Sequence, residues 1–181
     1  MYRYIAILRG INVGGNRKIL MSDLKDLFIQ QGFENVKTYI QSGNVIFDSD
    51  DESSAQHLSE KIQNAILHKF NFEVPVIIKC AHDFARAIQL NPFVSEEGFD
   101  IDRLHLTFLS AVSSVQNMTL IKSFDVGNDR FEIVNDQIFI YCFGKYSDSK
   151  LTNSFFESKL KVKASTRNWN TVLKLNALCK D

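Results

Sequence analysis

The densest polar stretch of the chain is Arg9-Gly-Ile-Asn-Val-Gly-Gly-Asn-Arg-Lys18, which holds three glycines, two asparagines and three cations. Backbone N–H groups of a glycine-rich turn feeding toward a helix N-terminus make a ready anion site. Arg9, Arg17 or Lys18 would complete the charge, Asn12 would fix orientation, and Gly14 and Gly15 would let the backbone approach. The spacing matches neither G-x-x-x-x-G-K-[ST] nor G-x-G-x-x-G, so no nucleotide fingerprint is present. The plainer reading is that Gly14-Gly15 only turn the chain over the sheet edge. Ser42, Gly43 and Asn44 form a second candidate. Gly and Asn are standard hairpin-turn residues because they tolerate positive φ, so this stretch borrows its functional case from its neighbour. The third is Thr166-Arg167-Asn168-Trp169. Asn168 can cap the last helix, whose dipole beside Arg167 and Lys150 would favour an anion. The plainer reading has Asn168 capping, Trp169 packing and Arg167 pairing with a surface carboxylate.

Other chemistries find little support. His57, His68, His82 and His105 show no metal spacing, and no cysteine lies at a ligand-like interval from one. No metal and no cofactor is therefore expected. Asp50-Asp-Glu52 reads as a solvated cap region rather than an acid–base pair. No G-x-S-x-G elbow or cysteine–histidine arrangement follows from spacing. A set of Arg, Lys, Asn, Ser and Tyr suits electrostatic stabilisation of an oxyanion or phosphate better than nucleophilic attack.

Lys+Arg and Asp+Glu are equal at 21 each, so no global field steers nucleic acid or acidic membranes, and local clusters must carry any anion binding. An apolar content of 45% is ample for a core in 181 residues, enough for one domain or two small repeated ones. No apolar run approaches the ~20 residues of a membrane span, and Met1–Ile5 lack the apolar stretch of a signal peptide. Cys80, Cys142 and Cys179 are an odd number without C-x-x-C spacing, which points to free thiols and a cytoplasmic location.

The elements that must position these groups follow from periodicity. Tyr2–Arg9 reads as a strand apolar on both faces, hence central. Ser22 is the expected N-cap of a helix with Leu24, Leu27 and Phe28 on one stripe, ended by Gly32 at C′. Val36–Gln41 and Val45–Asp48 form a hairpin across Ser42-Gly43-Asn44. A long helix through Leu58, Ile62 and Ile66 precedes a strand at Val74–Cys80, whose Pro75 suits an edge. A short helix around Asp83–Leu90 ends at Asn91-Pro92. The order repeats: a strand at Leu104–Leu109, a helix in Ser113–Ser123, a hairpin of Phe131–Val134 and Gln137–Phe143, a helix at Thr152–Leu160, a strand at Lys161–Thr166, and a last helix capped by Asn168.

The β-α-β-β-α-β order is the ferredoxin-like (split βαβ) unit. The expected architecture is α+β, a tandem repeat of two such units, each a four-stranded antiparallel sheet in spatial order 4-1-3-2. The halves are placed at 1–92 and 104–181, joined by a connector at 93–103. This topology puts Arg9–Lys18 beside Ser42–Asn44 at one end of the first sheet. It puts Gly144–Lys150 and Ser165–Asn168 together at one end of the second. Head-to-tail packing would merge the two corners into one cleft.

Arg9-Gly-Ile-Asn-Val-Gly-Gly15, Thr38-Tyr-Ile-Gln-Ser-Gly-Asn-Val45 with Phe47, Ser149-Lys150 and Thr166-Arg-Asn-Trp-Asn-Thr171 resemble the domain-of-unknown-function 1697 (DUF1697) family. Asn91-Pro92-Phe93 resembles its central landmark. The resemblance implies a compact bacterial-type α/β protein and leaves its activity open. The expected function is binding of a small phosphate- or carboxylate-bearing ligand at the polar corners, with or without turnover. The alternatives are a nucleic-acid module that uses Phe139, Tyr141 and Phe143 as a sheet-face platform, or a protein-interaction domain without ligand. Zero net charge and the lack of an RNP-like signature count against nucleic acid.

Overall fold

The computed structural model describes residues 1–50 and 54–180. The first sheet is built from β1 (Tyr2–Leu8), β2 (Glu34–Tyr39), β3 (Asn44–Ser49) and β4 (Val76–Cys80), with helices α1 (Met21–Gln30), α2 (Ala55–Phe70) and α3 (Ala81–Leu90). The second contains β5 (Leu104–Leu109), β6 (Arg130–Val134), β7 (Gln137–Tyr141) and β8 (Ala164–Asn168), with α4 (Val115–Ile121), α5 (Asn153–Leu160) and α6 (Trp169–Leu178). Spatial order is β2-β3-β1-β4 in one sheet and β6-β7-β5-β8 in the other, antiparallel throughout. Both are the expected 4-1-3-2 arrangement. The chain divides into two compact units, Met1–Phe84 with the stretch from Leu175 on, and Ala85–Lys174. The divisions fall inside α3 and α6, whereas the sequence suggested 1–92 and 104–181.

The repeat extends to individual backbone bonds. Where β1 ends, Leu8 N–H donates to Gly43 O at 2.8 Å and Arg9 N–H to Pro75 O at 3.0 Å. Where β5 ends, Leu109 N–H donates to Asp136 O and Ser110 N–H to Lys163 O, both at 2.9 Å. The central strand of each sheet is thus tied at its exit to the neighbouring hairpin and to the start of the edge strand.

Strand alternation sets what each face buries. Ala6, Leu8, Val45, Phe47, Val76 and Ile78 pack under Leu24, Leu27 and Phe28 of α1 and Leu58, Ile62 and Ile66 of α2. Phe47 is the hub, with ring centroids 5.7 Å from Tyr4, 5.3 Å from Phe28 and 4.5 Å from Phe33. Ile5 and Ile7, on the other face of β1, are fully buried too, as expected of a central strand. In the second unit Leu109, Ile138, Ile140, Cys142 and Ala164 pack with Ile121, Phe156 and Leu160.

Several boundaries differ from expectation, each for a local reason. Helix α1 begins at Met21 with Leu20 in the N-cap position, so Ser22 falls inside the first turn and caps nothing. Ser54, Ser114 and Thr152 do cap α2, α4 and α5, each accepting an N–H from the residue three further on. The β2–β3 turn spans residues 40–43 rather than 42–44, because Ile40 adopts φ +50° and Tyr39 already pairs with Asn44. Lys161 is the left-handed C-cap of α5 at φ +61°, which delays β8 to Ala164 and carries it on to Asn168. Asp50 pairs with the N-terminal amine at 3.0 Å. The rest of the acidic connector, at 51–53, lies outside the described residues.

Candidate functional site

The glycine stretch is a closed miniature hairpin. Asn12 N–H donates to Arg17 O at 3.2 Å and Asn16 N–H to Val13 O at 3.1 Å. Gly14 and Gly15 sit at φ +59° and +79°, the two left-handed positions of a tight primed turn. A Cβ at either would meet nothing within 4 Å, so glycine serves the turn's dihedrals there. Asn12 sews the loop down. Its Nδ2 donates to Ile19 O at 2.9 Å and Gln41 O at 3.0 Å, and its Oδ1 accepts Ile19 N–H at 2.9 Å. Both amide protons are spent, so Asn12 positions the corner.

The 40–43 turn is equally committed. A Cβ on Gly43, at φ +80°, would lie 2.7 Å from Ile11 Cδ1 and 2.8 Å from Leu8 Cβ. Asn44 is fully buried, and its Nδ2 reaches Tyr39 O at 3.1 Å and Ser42 Oγ at 3.2 Å. These residues bring the glycine loop and the hairpin turn together at one end of the sheet, as the topology required.

A hollow of about 500 Å³ opens beside this corner, where α1 begins. Asn12, Gly15, Lys18, Leu20, Met21 and Gln41 line it, with Asp23 and Phe70. No side chain caps the start of α1. Lys18 and Arg17 are exposed, and Arg9 is half-buried at the loop's root. Gln41, Leu20 and Met21 had not been singled out from sequence, since none has a chemical signature. A larger open groove of about 750 Å³ runs between α1 and α2, lined in part by His57, Lys61, His68 and Lys69. There Lys61 lies over the Phe33 ring at 4.9 Å and Lys69 over Phe70 at 5.6 Å, as lysine stems commonly cover apolar surface.

The second corner separates into parts. Lys150 pairs with Asp125 at 3.1 Å on the surface and borders a hollow of about 220 Å³ with Asp129, Phe143 and Ser149. Arg167 lies inside β8, opposite Leu106, because that strand runs on to Asn168. Its Nη1 donates to Ser165 Oγ at 3.1 Å and Thr166 O at 3.0 Å, and burial pulls its pKa down to about 10. Arg167 is therefore a sheet residue, not a solvent-facing cation. Asn168 accepts Thr171 N–H at 2.8 Å, which is the expected cap. Trp169 is buried edge-on to Phe139 at 6.3 Å, the core role expected of it.

One cluster went unnoticed in the sequence. His105 is buried on β5, its ring stacked on Tyr146 at 4.5 Å and its Nδ1 4.0 Å from Cys142 Sγ. Desolvation lowers the His105 pKa and pushes the Cys142 thiol up to about 11, so that thiol stays protonated. Among the described residues no three His, Cys, Asp or Glu side chains come together as a metal-ligating group. None of the helices among them is long and apolar enough to cross a membrane.

Two four-stranded antiparallel sheets, each with its own helices and the same strand order, define a tandem ferredoxin-like α+β protein. A family model described as "Protein of unknown function (DUF1697)" matches residues 1–139, and the chain belongs to this family. Ser149-Lys150 and Thr166–Thr171 lie beyond the matched residues. The solved structure of conserved bacterial protein SP0830 from Streptococcus pneumoniae is similar with a TM-score of 0.74 at 26% identity. That similarity covers 100% of this chain and 99% of the other. No curated protein matches the chain.

Proposed function

We propose that the protein binds a small phosphate- or carboxylate-bearing ligand in the hollow between the glycine loop, the 40–43 turn and the start of α1. The observation that carries this reading is the first turn of α1, which has no side-chain cap and opens onto a hollow bordered by Lys18. Unsatisfied helix N–H groups and a cation together favour negative charge. Leu20, Met21 and Phe70 on the same wall suit an apolar portion of the ligand. Asp23 on the rim opposes additional negative charge, so a carboxylate or monoester end fits better than a polyphosphate. Of the three aromatics in the nucleic-acid alternative, Phe139 packs on Trp169 and Tyr141 on Phe93, while Phe143 is exposed.

A thermal-shift screen of carboxylates, phosphate monoesters and nucleotides tests the proposal. A ligand at about 100 times its Kd should add ~2.7 kcal/mol, a rise of roughly 5–10 °C in Tm for a chain of this size. Lys18→Ala should reduce the shift while leaving the unliganded Tm unchanged, because Lys18 is exposed. A screen without hits, or a hit indifferent to Lys18→Ala, overturns the reading.

A further inference from the structure

Among the described residues His105 is the one buried histidine; His57, His68 and His82 are exposed. It sits where β5 begins, and several groups converge on it. The Tyr146 ring lies on its face at 4.5 Å, nearly parallel at 18°. Nδ1 is 3.3 Å from the Arg103 carbonyl and 4.0 Å from Cys142 Sγ. The Arg103 guanidinium is occupied with Asp100 at 3.3 Å. Asn168, its partner across β8, is neutral. A carboxylate reaches it indirectly: Cys142 hydrogen-bonds Ser149, whose Oγ donates to Asp129 Oδ2.

The stretch that follows β7 is held at two points. Asp129 takes Phe143 N–H at 2.8 Å as well as the Ser149 hydroxyl. Between those anchors Tyr146–Asp148 forms a short 3-10 turn, closed by Asp148 N–H to Lys145 O and Ser149 N–H to Tyr146 O. Above the sheet the Tyr146 ring lies on His105 and packs beside the cluster that holds Ile140 and Cys142.

A proton on His105 would act in two opposing ways. A charged imidazole over the Tyr146 face gains a cation–π attraction of about 0.5–2 kcal/mol. Charging a buried imidazole costs desolvation, which can move a histidine by several pKa units. Burial is the larger effect here, and it lowers the His105 pKa from its ordinary 6.5. The packed arrangement therefore holds the neutral ring, and relief comes from opening the cover to water.

We propose that His105 is a proton-operated latch for residues 143–150, whose neutral ring holds Tyr146 against the sheet and whose protonation releases this segment and opens the Lys150 corner. The latch lies in the second unit and is independent of the ligand hollow beside α1.

Amide hydrogen exchange between pH 7.5 and 5.0, corrected for intrinsic rates, tests it. The Asp148, Ser149 and Leu151 amides, all internally bonded, should lose protection by up to tenfold per pH unit below about 6.5. Amides of β1 and β3 should keep theirs. His105→Phe preserves a ring for Tyr146 to stack on and should abolish the acid step. Flat protection in the native protein, or an undiminished step in His105→Phe, overturns the proposal. Should His105→Phe not fold, an NMR titration of the His105 ring decides. Its midpoint must fall below 6.5, at the lower end of the pH range over which protection is lost, and a ring midpoint at or above 6.5 overturns the latch.

Discussion

Glycines at one corner of a sheet can be required for different reasons. Gly14 and Gly15 need left-handed φ but have open space around a Cβ, so alanine there should cost about 1–2 kcal/mol each. Gly43 needs the same φ and also faces Leu8 Cβ and Ile11 at under 3 Å, one of them fixed next to the backbone of the central strand. Gly43→Ala adds overpacking to dihedral strain and should cost roughly 2–5 kcal/mol. Urea denaturation of the three alanine variants should rank Gly43 well apart from the others. Equal losses would mean that the Leu8–Ile11 wall yields, and that the corner is softer than its contacts imply. Asn12 belongs to the same argument. Its three bonds spend both amide protons and its carbonyl oxygen on holding the loop.

Elements are locked to one another by a few partly buried charges. Arg3 on β1 forks Asp48 on β3 at 2.8 and 3.1 Å, and donates to Cys179 O at 2.8 Å just past α6. Asn35 adds a bond to the same carboxylate at 2.8 Å. The hydrogen bond from Arg3 is the main cause holding the Asp48 pKa below its usual value. Asp48→Asn leaves Arg3 without its carboxylate and should cost about 1.5–3 kcal/mol at pH 7. The deficit of the same variant should be smaller at pH 3, below the 3.8 from which the native carboxyl is depressed. A deficit of equal size at both pH values would assign the effect to shape and not to charge. Arg3→Leu should additionally speed exchange of the amides at the end of α6.

At the scale of the whole molecule, His105 and Asp48 tilt stability the same way with pH. His105 is depressed from 6.5, so the stability of its neutral form is fully present above that value and is lost as pH falls below it. Asp48 is depressed from 3.8, so its contribution persists to lower pH and is lost only as pH falls through the folded value. Urea unfolding across pH 7.5 to 3 should show stability declining in two windows, one below about 6.5 and one below about 3.8. His105→Phe should flatten the first and Asp48→Asn the second. Greater stability at pH 5.5 than at 7.5 would contradict the burial assigned to His105.

Local periodicity was enough to place Leu104–Leu109 as a strand, and Leu24, Leu27 and Phe28 as the buried stripe of α1, because side-chain alternation is written along the chain. Handedness and short connections then fix the 4-1-3-2 order, which alone puts the glycine loop beside Ser42–Asn44. Cap signals were legible at Asn168, which stands before an apolar stripe. They misled at Ser22, because Leu20 ends an extended segment and the helix begins ahead of the serine. What the sequence could not contain was the direction and burial of polar groups. Arg167 reads as a cation near a cap, but the longer β8 turns it into the sheet layer. Asn12 reads as a ligand contact, but its amide closes a loop against Gln41 from a distant hairpin. His105 reads as an isolated histidine until Tyr146 and Cys142 are brought onto it. Each of these depends on which residues distant in sequence share a neighbourhood, and burial sets the charge state and bonding of a polar side chain more strongly than its chemical type does.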